Sequence, residues 1–118
     1  MPRYMALIYG SEAGMATASP EDTAMMVKAY NQYTEAVQAA GVFESGDGLQ
    51  PTGTATTVRV RDGQASTTDG PFAETKEALG GFYVLKCEDL DEAIEWAAKI
   101  PGASYGSIEV RPIINYEG

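Results

Sequence analysis

The chain has no histidine and only one cysteine among its 118 residues. Without an imidazole it can form no Ser-His or Cys-His nucleophile pair, and it lacks the ligand on which most zinc and iron sites depend. One cysteine permits no disulfide within the chain, and Cys87 ends an apolar run, so we expect a buried thiol in a reducing compartment. Carboxylates, hydroxyls and guanidinium groups are left as the candidates for chemistry.

Basic residues are scarce as well. Eight lysine and arginine residues stand against 17 aspartate and glutamate residues, which gives a formal net charge of −9 at pH 7. Binding to nucleic acid needs a concentrated basic surface, so this composition argues against such a partner. The N-terminal apolar run is too short for a signal peptide, and no run approaches the ~18 apolar residues that span a bilayer. We therefore expect a cytoplasmic protein that binds neither nucleic acid nor membrane.

The length and the hydrophobic content fit one domain. With 44% hydrophobic residues, residues 1–118 have enough apolar side chains for a single core. A chain of this size buries about two-thirds of its unfolded surface on folding. We expect no second domain.

The apolar periodicity predicts a definite order of elements. Strands are predicted at 3–9, 42–45, 54–61, 64–68, 81–87 and 107–113, and helices at 20–40 and 90–100. Ser19 and Asp89 precede the helices as N-terminal caps, and Asp62-Gly63 predicts a two-residue hairpin turn. Residues 10–18 are predicted to form a loop, and residues 46–48 a turn.

Each predicted helix has one apolar face. These faces comprise Met26, Tyr30, Tyr33, Val37 and Ala40 in the first helix, and Leu90, Ala93, Ile94, Ala97 and Ile100 in the second. Spacings of three and four residues are typical of a helix packed on a sheet. A ligand-binding face is an alternative for the first helix, because it includes two tyrosines.

This order of elements predicts an α+β fold of the ferredoxin-like type, with an antiparallel sheet, two helices on one face and an extra β-hairpin. Strands 3–9 and 81–87 are apolar on both faces. Since the helices cover only one face, the other needs a partner, and a second copy of the same sheet is the simplest one. We therefore predict a homodimer.

The segment DGPFAETKE at residues 69–77 has the most unusual composition in the chain. Gly70 precedes Pro71 and is therefore kept out of the right-handed helical region, and Asp69 can bond its own backbone two residues on. These properties predict a sharp turn, followed by a short charged helical or loop segment. Gly80-Gly81 then leads into the apolar strand.

DGPFAETKE, followed by GGFY, resembles the signature of the DGPF group of the YCII-related proteins. The segments YMALIY at 4–9, GLQP at 48–51, TTVR at 56–59 and DLDEAIEWA at 89–97 are similar to that family in the same order. The resemblance implies a dimeric α+β barrel, in agreement with the argument from the two-faced strands. It implies no particular activity, because the family is largely without an assigned one.

Two further properties of the family concern function. Some YCII-related proteins are thought to use a His-Asp pair, and this chain has no histidine to supply it. Relatives in the DGPF group are often encoded beside extracytoplasmic-function sigma factors, which implies a regulatory link.

We expect a pocket at the mouth of the barrel, on the helix-free face and closed by the turn at Asp69. Asp69 and Glu74 are the candidate catalytic residues, because a carboxylate partly desolvated beside an aromatic ring can have its pKa raised toward neutrality. The alternatives are a turn-forming role for Asp69 and a solvated position for Glu74.

Other side chains are candidates for binding the ligand. They are Tyr9, Arg59, Phe72, Tyr83, Tyr105 and Arg111. Arg59 and Arg111 can grip an anionic group bidentately. The alternatives are an edge-protecting role for Arg59 and an ion pair for Arg111, which we place on a central strand. No metal or other cofactor is expected, since the segment lacks the acidic spacing of a calcium loop and no phosphate-binding glycine loop is present.

These residues support two functions of different class. The first is a small-molecule enzyme that uses Asp69 for proton transfer. The second is a non-catalytic ligand-binding or regulatory module, whose acidic surface meets a basic protein partner such as a sigma factor.

Overall fold

The computed structural model describes residues 1–117. The elements are β1 (Arg3–Gly10), α1 (Glu12–Ala16), α2 (Pro20–Ala39), β2 (Phe43–Gly48), β3 (Thr56–Arg61), β4 (Gln64–Asp69), β5 (Ala78–Lys86), α3 (Leu90–Ala97) and β6 (Ser107–Pro112). Short 3-10 turns occur at Thr52–Thr54 and Pro101–Ser104. Within the described part of the chain, no helix has both the length and the hydropathy needed to cross a membrane.

Four strands form one antiparallel sheet in the order β2-β5-β1-β6. The predicted α+β class is confirmed, and this order is consistent with a ferredoxin-like fold. The predicted hairpin is also present, because β3 and β4 pair only with each other and turn at Asp62 and Gly63, which both have positive φ. The expectation that Arg111 lies on a central strand is wrong, since β6 is an edge strand.

The core lies between one face of the sheet and the helices α2 and α3. Tyr4 and Ala6 of β1 and Leu85 of β5 contribute to it from the sheet. From α2, the Tyr33 ring packs edge-to-face on Tyr83 at 5.0 Å between centroids, and the Tyr33 hydroxyl donates to the Trp96 carbonyl oxygen at 2.9 Å. The apolar face predicted for α2 is therefore a core face at its centre, although Ala40 beyond its end is exposed.

The face predicted for α3 is only partly buried. Ala93, Ala97 and Ile100 are buried, whereas Leu90 and Ile94 are 46% and 49% exposed. The helix has only eight residues, and it meets the sheet along the narrow stripe of its two alanines. Leu90 and Ile94 lie beside that stripe, so the prediction that they face inward is wrong.

Two segments between the main elements also differ from the predictions. The expected loop at 10–18 contains α1, which is capped by Ser11 through its Oγ atom. One helical turn is too short to show an apolar period, so the pattern does not reveal it. The expected turn at 46–48 instead continues β2, because Gly46 pairs with Tyr83 and Gly48 with Gly81 across the sheet.

The helix-free face of the sheet is apolar along its two central strands. Met5 and Leu7 of β1 lie opposite Val84 and Phe82 of β5 in register, and Arg111 of β6 lies beside Met5. No helix within residues 1–117 covers this face. The two-faced apolar character predicted for these strands is therefore present in the fold, while the dimer stays a prediction.

Cys87 is fully buried in the core, as predicted. Burial raises the pKa of its thiol to about 11, and the nearby carboxylates of Glu92 and Asp89 act in the same direction. A pKa raised by two units means about 100-fold less thiolate at neutral pH. We expect the native thiol to react with a disulfide reagent at least about tenfold more slowly than the urea-unfolded chain, because the smaller thiolate fraction is only partly offset by the higher nucleophilicity of a more basic thiolate. Rapid reaction of the native protein would contradict its burial.

Candidate functional site

A cleft of about 860 Å³ lies between α1, residues 23–34 of α2 and the part of the sheet formed by β1, β2 and β5. Its volume is within the range of small-molecule sites. Apolar side chains such as Met26, Phe43 and Leu79 contribute to its walls, together with hydroxyl, amide and carboxylate groups. This cleft belongs to a single chain, whereas the pocket predicted on the helix-free face needs a second one.

One side of the cleft is held by a contact between segments far apart in the sequence. Glu12 of α1 accepts a hydrogen bond from the Thr52 backbone N–H at 2.7 Å and another from the Thr52 hydroxyl. These bonds connect α1 to the 3-10 turn at Thr52–Thr54. They also stabilise the carboxylate, which lowers the pKa of Glu12 below its ordinary value.

Hydroxyl groups of α2 and β5 lie along the floor. The Tyr30 hydroxyl accepts a hydrogen bond from the Gly102 N–H at 3.1 Å, and the Thr34 and Tyr83 hydroxyls are 2.9 Å apart. Burial raises the pKa of Tyr30 to about 12, and the neighbouring Tyr105 adds to this effect. Tyr30 therefore stays a neutral phenol at neutral pH.

Two glycines make room for these tyrosines. A Cβ atom at position 102 would lie 2.8 Å from the Tyr30 hydroxyl, and one at position 46 would lie 2.7 Å from the Tyr83 ring. Heavy atoms do not approach so closely without a shift of the neighbour. The glycines thus allow the aromatic side chains to line the cleft.

The charges around the cleft are of one sign. Glu12 and Asp47 are the carboxylates among the lining residues, and the described lining includes no lysine or arginine. Asp47 is exposed on β2, whereas Glu12 is partly buried. The cleft therefore presents negative charge at its walls and neutral hydroxyls on its floor.

A second cavity, of about 540 Å³, lies under the loop that contains Pro71, Phe72 and Thr75. It shares Tyr9 and Leu49 with the larger cleft, so the two spaces adjoin. The Phe72 side chain borders this cavity and is 80% exposed.

The predicted ligand-binding residues fall into two groups. Tyr9, Tyr83 and Tyr105 line the larger cleft, and Phe72 joins Tyr9 at the second cavity. Arg59 on β3 and Arg111 on β6 are exposed and line neither space. The structure thus brings the aromatic candidates together, but it does not bring the two arginines to them.

The predicted catalytic carboxylates lie outside both spaces in the single chain. Asp69 ends β4 opposite Thr56 and is exposed, as is Glu74 in the following loop. The turn after Asp69 is closed by the backbone of Gly70, whose φ is +98° and whose N–H donates to the Ala55 carbonyl oxygen at 2.7 Å. The acid/base roles of Asp69 and Glu74 stay predictions.

Several residues of the cleft were not predicted. The site predicted from the sequence does not include Glu12, Thr34 or Asp47. Tyr30 was predicted as part of the apolar face of the first helix, for which ligand binding was the alternative to a core role. Met26, Tyr30 and Thr34 follow one another at intervals of four residues and therefore lie on one face of α2. This spacing could have identified Thr34 as a residue of the same surface. No local pattern reveals Glu12, because its position depends on the contact with Thr52.

The pKa of Glu12 makes a pH-dependent contribution to stability. Since the folded pKa is lower than the unfolded one, this contribution is present above the ordinary glutamate pKa and is lost as pH falls through the folded value. We expect Glu12→Gln to lower the urea midpoint near neutral pH, and the difference from wild type to shrink in acid. Glu21→Gln, an exposed change in the first turn of α2, is the matched control. A Glu12→Gln deficit that is equal at both pH values would contradict the assignment.

Comparisons with known proteins match nearly the whole chain. A family model described as the YCII-related domain matches residues 2–117. An uncharacterized protein of Rhizobium meliloti (strain 1021) is 37% identical over 116 residues, which cover 97% of this chain and 94% of the relative.

Proposed function

Since this chain belongs to the YCII-related family and its Rhizobium relative is uncharacterized, we propose a function from the site itself: the protein binds a small organic molecule in the cleft between α2 and the sheet. The observation that carries this proposal is the cleft of about 860 Å³ with convergent tyrosine and threonine hydroxyls. A mostly apolar concavity with a few placed polar groups is the usual form of a ligand site.

The floor of the cleft supports binding because its polar groups are already ordered. The Tyr30 hydroxyl is held by the Gly102 N–H, and the Tyr83 hydroxyl by Thr34. A ligand that bonds to preorganised groups loses less affinity to the ordering of side chains. Tyr9 and Leu49 line both the cleft and the second cavity, so a ligand bound in the cleft lies next to that cavity.

Filling the cleft tests this proposal. Ala16 of α1 lines the cleft, whereas Ala13 of the same helix does not. In a ligand-observed NMR screen of small aromatic molecules, we expect binding to wild type and to Ala13→Trp, and lost binding to Ala16→Trp. Equal binding by both variants would place the ligand elsewhere, and an absence of binding to wild type would remove the proposal.

We also propose that two chains form a homodimeric α+β barrel through their helix-free faces. The support is the exposed surface: 8319 Å² is accessible to solvent, against about 6,200 Å² for a compact monomer of this mass. The radius of gyration is 16.3 Å, against about 13.5 Å for a compact domain of this length. Part of this excess of about 2,000 Å² per chain belongs to the exposed β3-β4 hairpin, and the total is comparable to what each subunit of an obligate dimer buries.

The dimer has a direct test in sedimentation velocity at micromolar concentration. We expect wild type to sediment as a dimer and Leu7→Lys as a monomer, because the lysine would place a charge in the centre of the apolar face. Val27→Lys, on the outer side of α2, should leave the dimer intact, since Val27 is already 55% exposed. A monomeric wild type would contradict the proposal.

Catalysis by carboxylate acid/base chemistry is the second candidate function. Its support is that Asp69 and Glu74 lie on either side of Pro71, Phe72 and Ala73, which line the second cavity. A partner subunit or a rearrangement of this loop would have to bring a carboxylate to the ligand. Unchanged turnover by Asp69→Asn, once a substrate is known, would remove Asp69 from that role.

A regulatory role beside an extracytoplasmic-function sigma factor is compatible with ligand binding. The net charge of −9 would favour a basic protein partner, and such an association should weaken as salt rises. A pull-down with a sigma factor encoded beside the gene, at low and high salt, tests it, and no association at either salt would argue against it.

A further inference from the structure

We infer that the cleft selects an organic cation, an amine with an aromatic or apolar body, over an anion of the same shape. This inference rests on the proposed function, because it specifies the chemistry of the ligand that occupies the cleft. It departs from the anionic ligand that Arg59 and Arg111 suggested in the sequence, since neither arginine lines the cleft.

The first argument is the sign of the charges. Glu12 and Asp47 contribute negative charge, and no guanidinium or ammonium group stands among the described lining residues. The Glu12 carboxylate is held in place by Thr52 and stays ionised at neutral pH. A carboxylate or phosphate ligand entering here would be desolvated beside a like charge without a cationic partner, which is costly.

The second argument is the aromatic lining. Tyr9, Tyr30, Tyr83 and Tyr105 all line the cleft. The faces of aromatic rings attract ammonium groups through their quadrupole, and neutral phenol oxygens accept hydrogen bonds from them. Carboxylates and tyrosines in one lining suit an ammonium group attached to an apolar body. Such a ligand also places its body against Met26, Phe43 and Leu79.

The third argument is the field of the whole molecule. At a net charge of −9, the protein attracts cations and repels anions at a distance. The effect is screened by salt, so it adds to the local selection at low ionic strength. Local and overall charge therefore favour the same sign of ligand.

A matched set of probes tests the inference. Phenethylamine, phenethyl alcohol and 3-phenylpropionate share a phenyl ring and a short chain, and differ mainly in the charge at its end. We expect the amine to bind wild type at least about tenfold more tightly than the carboxylate, with the alcohol between them. Isothermal titration, or ligand-observed NMR for weak binding, measures the three dissociation constants.

Variants then assign the preference to the cleft. Glu12→Gln and Asp47→Asn should each reduce the amine-to-carboxylate preference several-fold, while Glu21→Gln, which removes a charge from outside the cleft, should leave it unchanged. Because the Asp47 side chain is exposed, we expect Asp47→Asn to remove a charge without disturbing the fold. A lower preference in this variant can therefore be attributed to the lost charge. If the amine-to-carboxylate preference of all three variants equalled that of wild type, the inference would be overturned.

The outcomes for the inference and for the proposed function are distinguishable. Equal or tighter binding of the carboxylate, abolished by Ala16→Trp, would overturn the choice of a cation and leave ligand binding in the cleft intact. Failure of all three probes to bind wild type would overturn the inference, and the broader aromatic screen then decides whether the cleft binds any ligand at all.

Discussion

Replacing Leu85 by alanine should lower the free energy of unfolding by about 3 to 4 kcal/mol. Leu85 lies on the central strand β5, is 1% exposed, and is one of the largest fully buried side chains of the chain. Truncation removes its apolar contacts in the core cluster that it shares with residues of α2 and α3. It leaves a cavity that the surrounding residues can fill only in part. Urea unfolding followed by the fluorescence of Trp96 measures the loss.

The matched control is Val27→Ala on the outer side of α2. Because Val27 is more than half exposed, its truncation should change the free energy of unfolding by no more than about 0.5 kcal/mol. Both variants need to be compared with wild type at one protein concentration, since dimer formation would add to the apparent stability. Similar effects of the two substitutions would mean that Leu85 is not part of the main core.

Replacing Gly81 by alanine should destabilise the protein by roughly 1 to 3 kcal/mol, whereas the same change at Gly80 should be close to neutral. A Cβ atom at position 81 would lie 2.9 Å from the Asp47 carbonyl oxygen and 3.4 Å from the Gly48 Cα atom of β2. These are backbone atoms of a paired strand, so they cannot move aside without disturbing the ladder. At position 80 the nearest atom is the Ile8 carbonyl oxygen at 3.9 Å, which is ordinary contact.

The two glycine variants form a matched pair, because they are adjacent in β5 and gain the same methyl group. Thermal and urea unfolding of both measure the difference, and heteronuclear NMR would show whether Gly81→Ala separates β2 from β5. Equal stability of the two would indicate that β2 can shift to accept a side chain. It would also mean that the close approach of β2 to β5 at Gly81 does not explain why a glycine stands there.

The sequence is sufficient to predict those parts of the fold that depend on neighbouring residues. The turn at Asp62-Gly63 needs two residues with positive φ, and both adopt it. Ser19 and Asp89 cap their helices through side-chain bonds to N–H groups three residues later. The alternation of β5, with Tyr83 and Leu85 toward the core and Cys87 continuing it just beyond the strand, follows from the pleat of a strand.

Predictions that depend on how much of an element its neighbours cover were less successful. The spacing of apolar residues in α3 predicted that Leu90 and Ile94 face the core. The part of the helix that is buried, however, depends on the area of the sheet on which it packs, and the strands determine that area. For the same reason the sequence pattern predicted a strand at 107–113 but not that it lies at the edge of the sheet.

The sequence alone determined the family, the α+β class, the order of the main elements and the aromatic candidates Tyr9, Tyr83 and Tyr105. Only the tertiary structure decided that the carboxylates at the cleft are Glu12 and Asp47. Glu12 lies there because its side chain bonds to Thr52, 40 residues along the chain, whereas Asp69 is at the end of an exposed hairpin. Turns, caps and alternation depend on local backbone geometry and can be read from adjacent residues, but the composition of a cleft depends on contacts between distant segments, which exist only once the chain has folded.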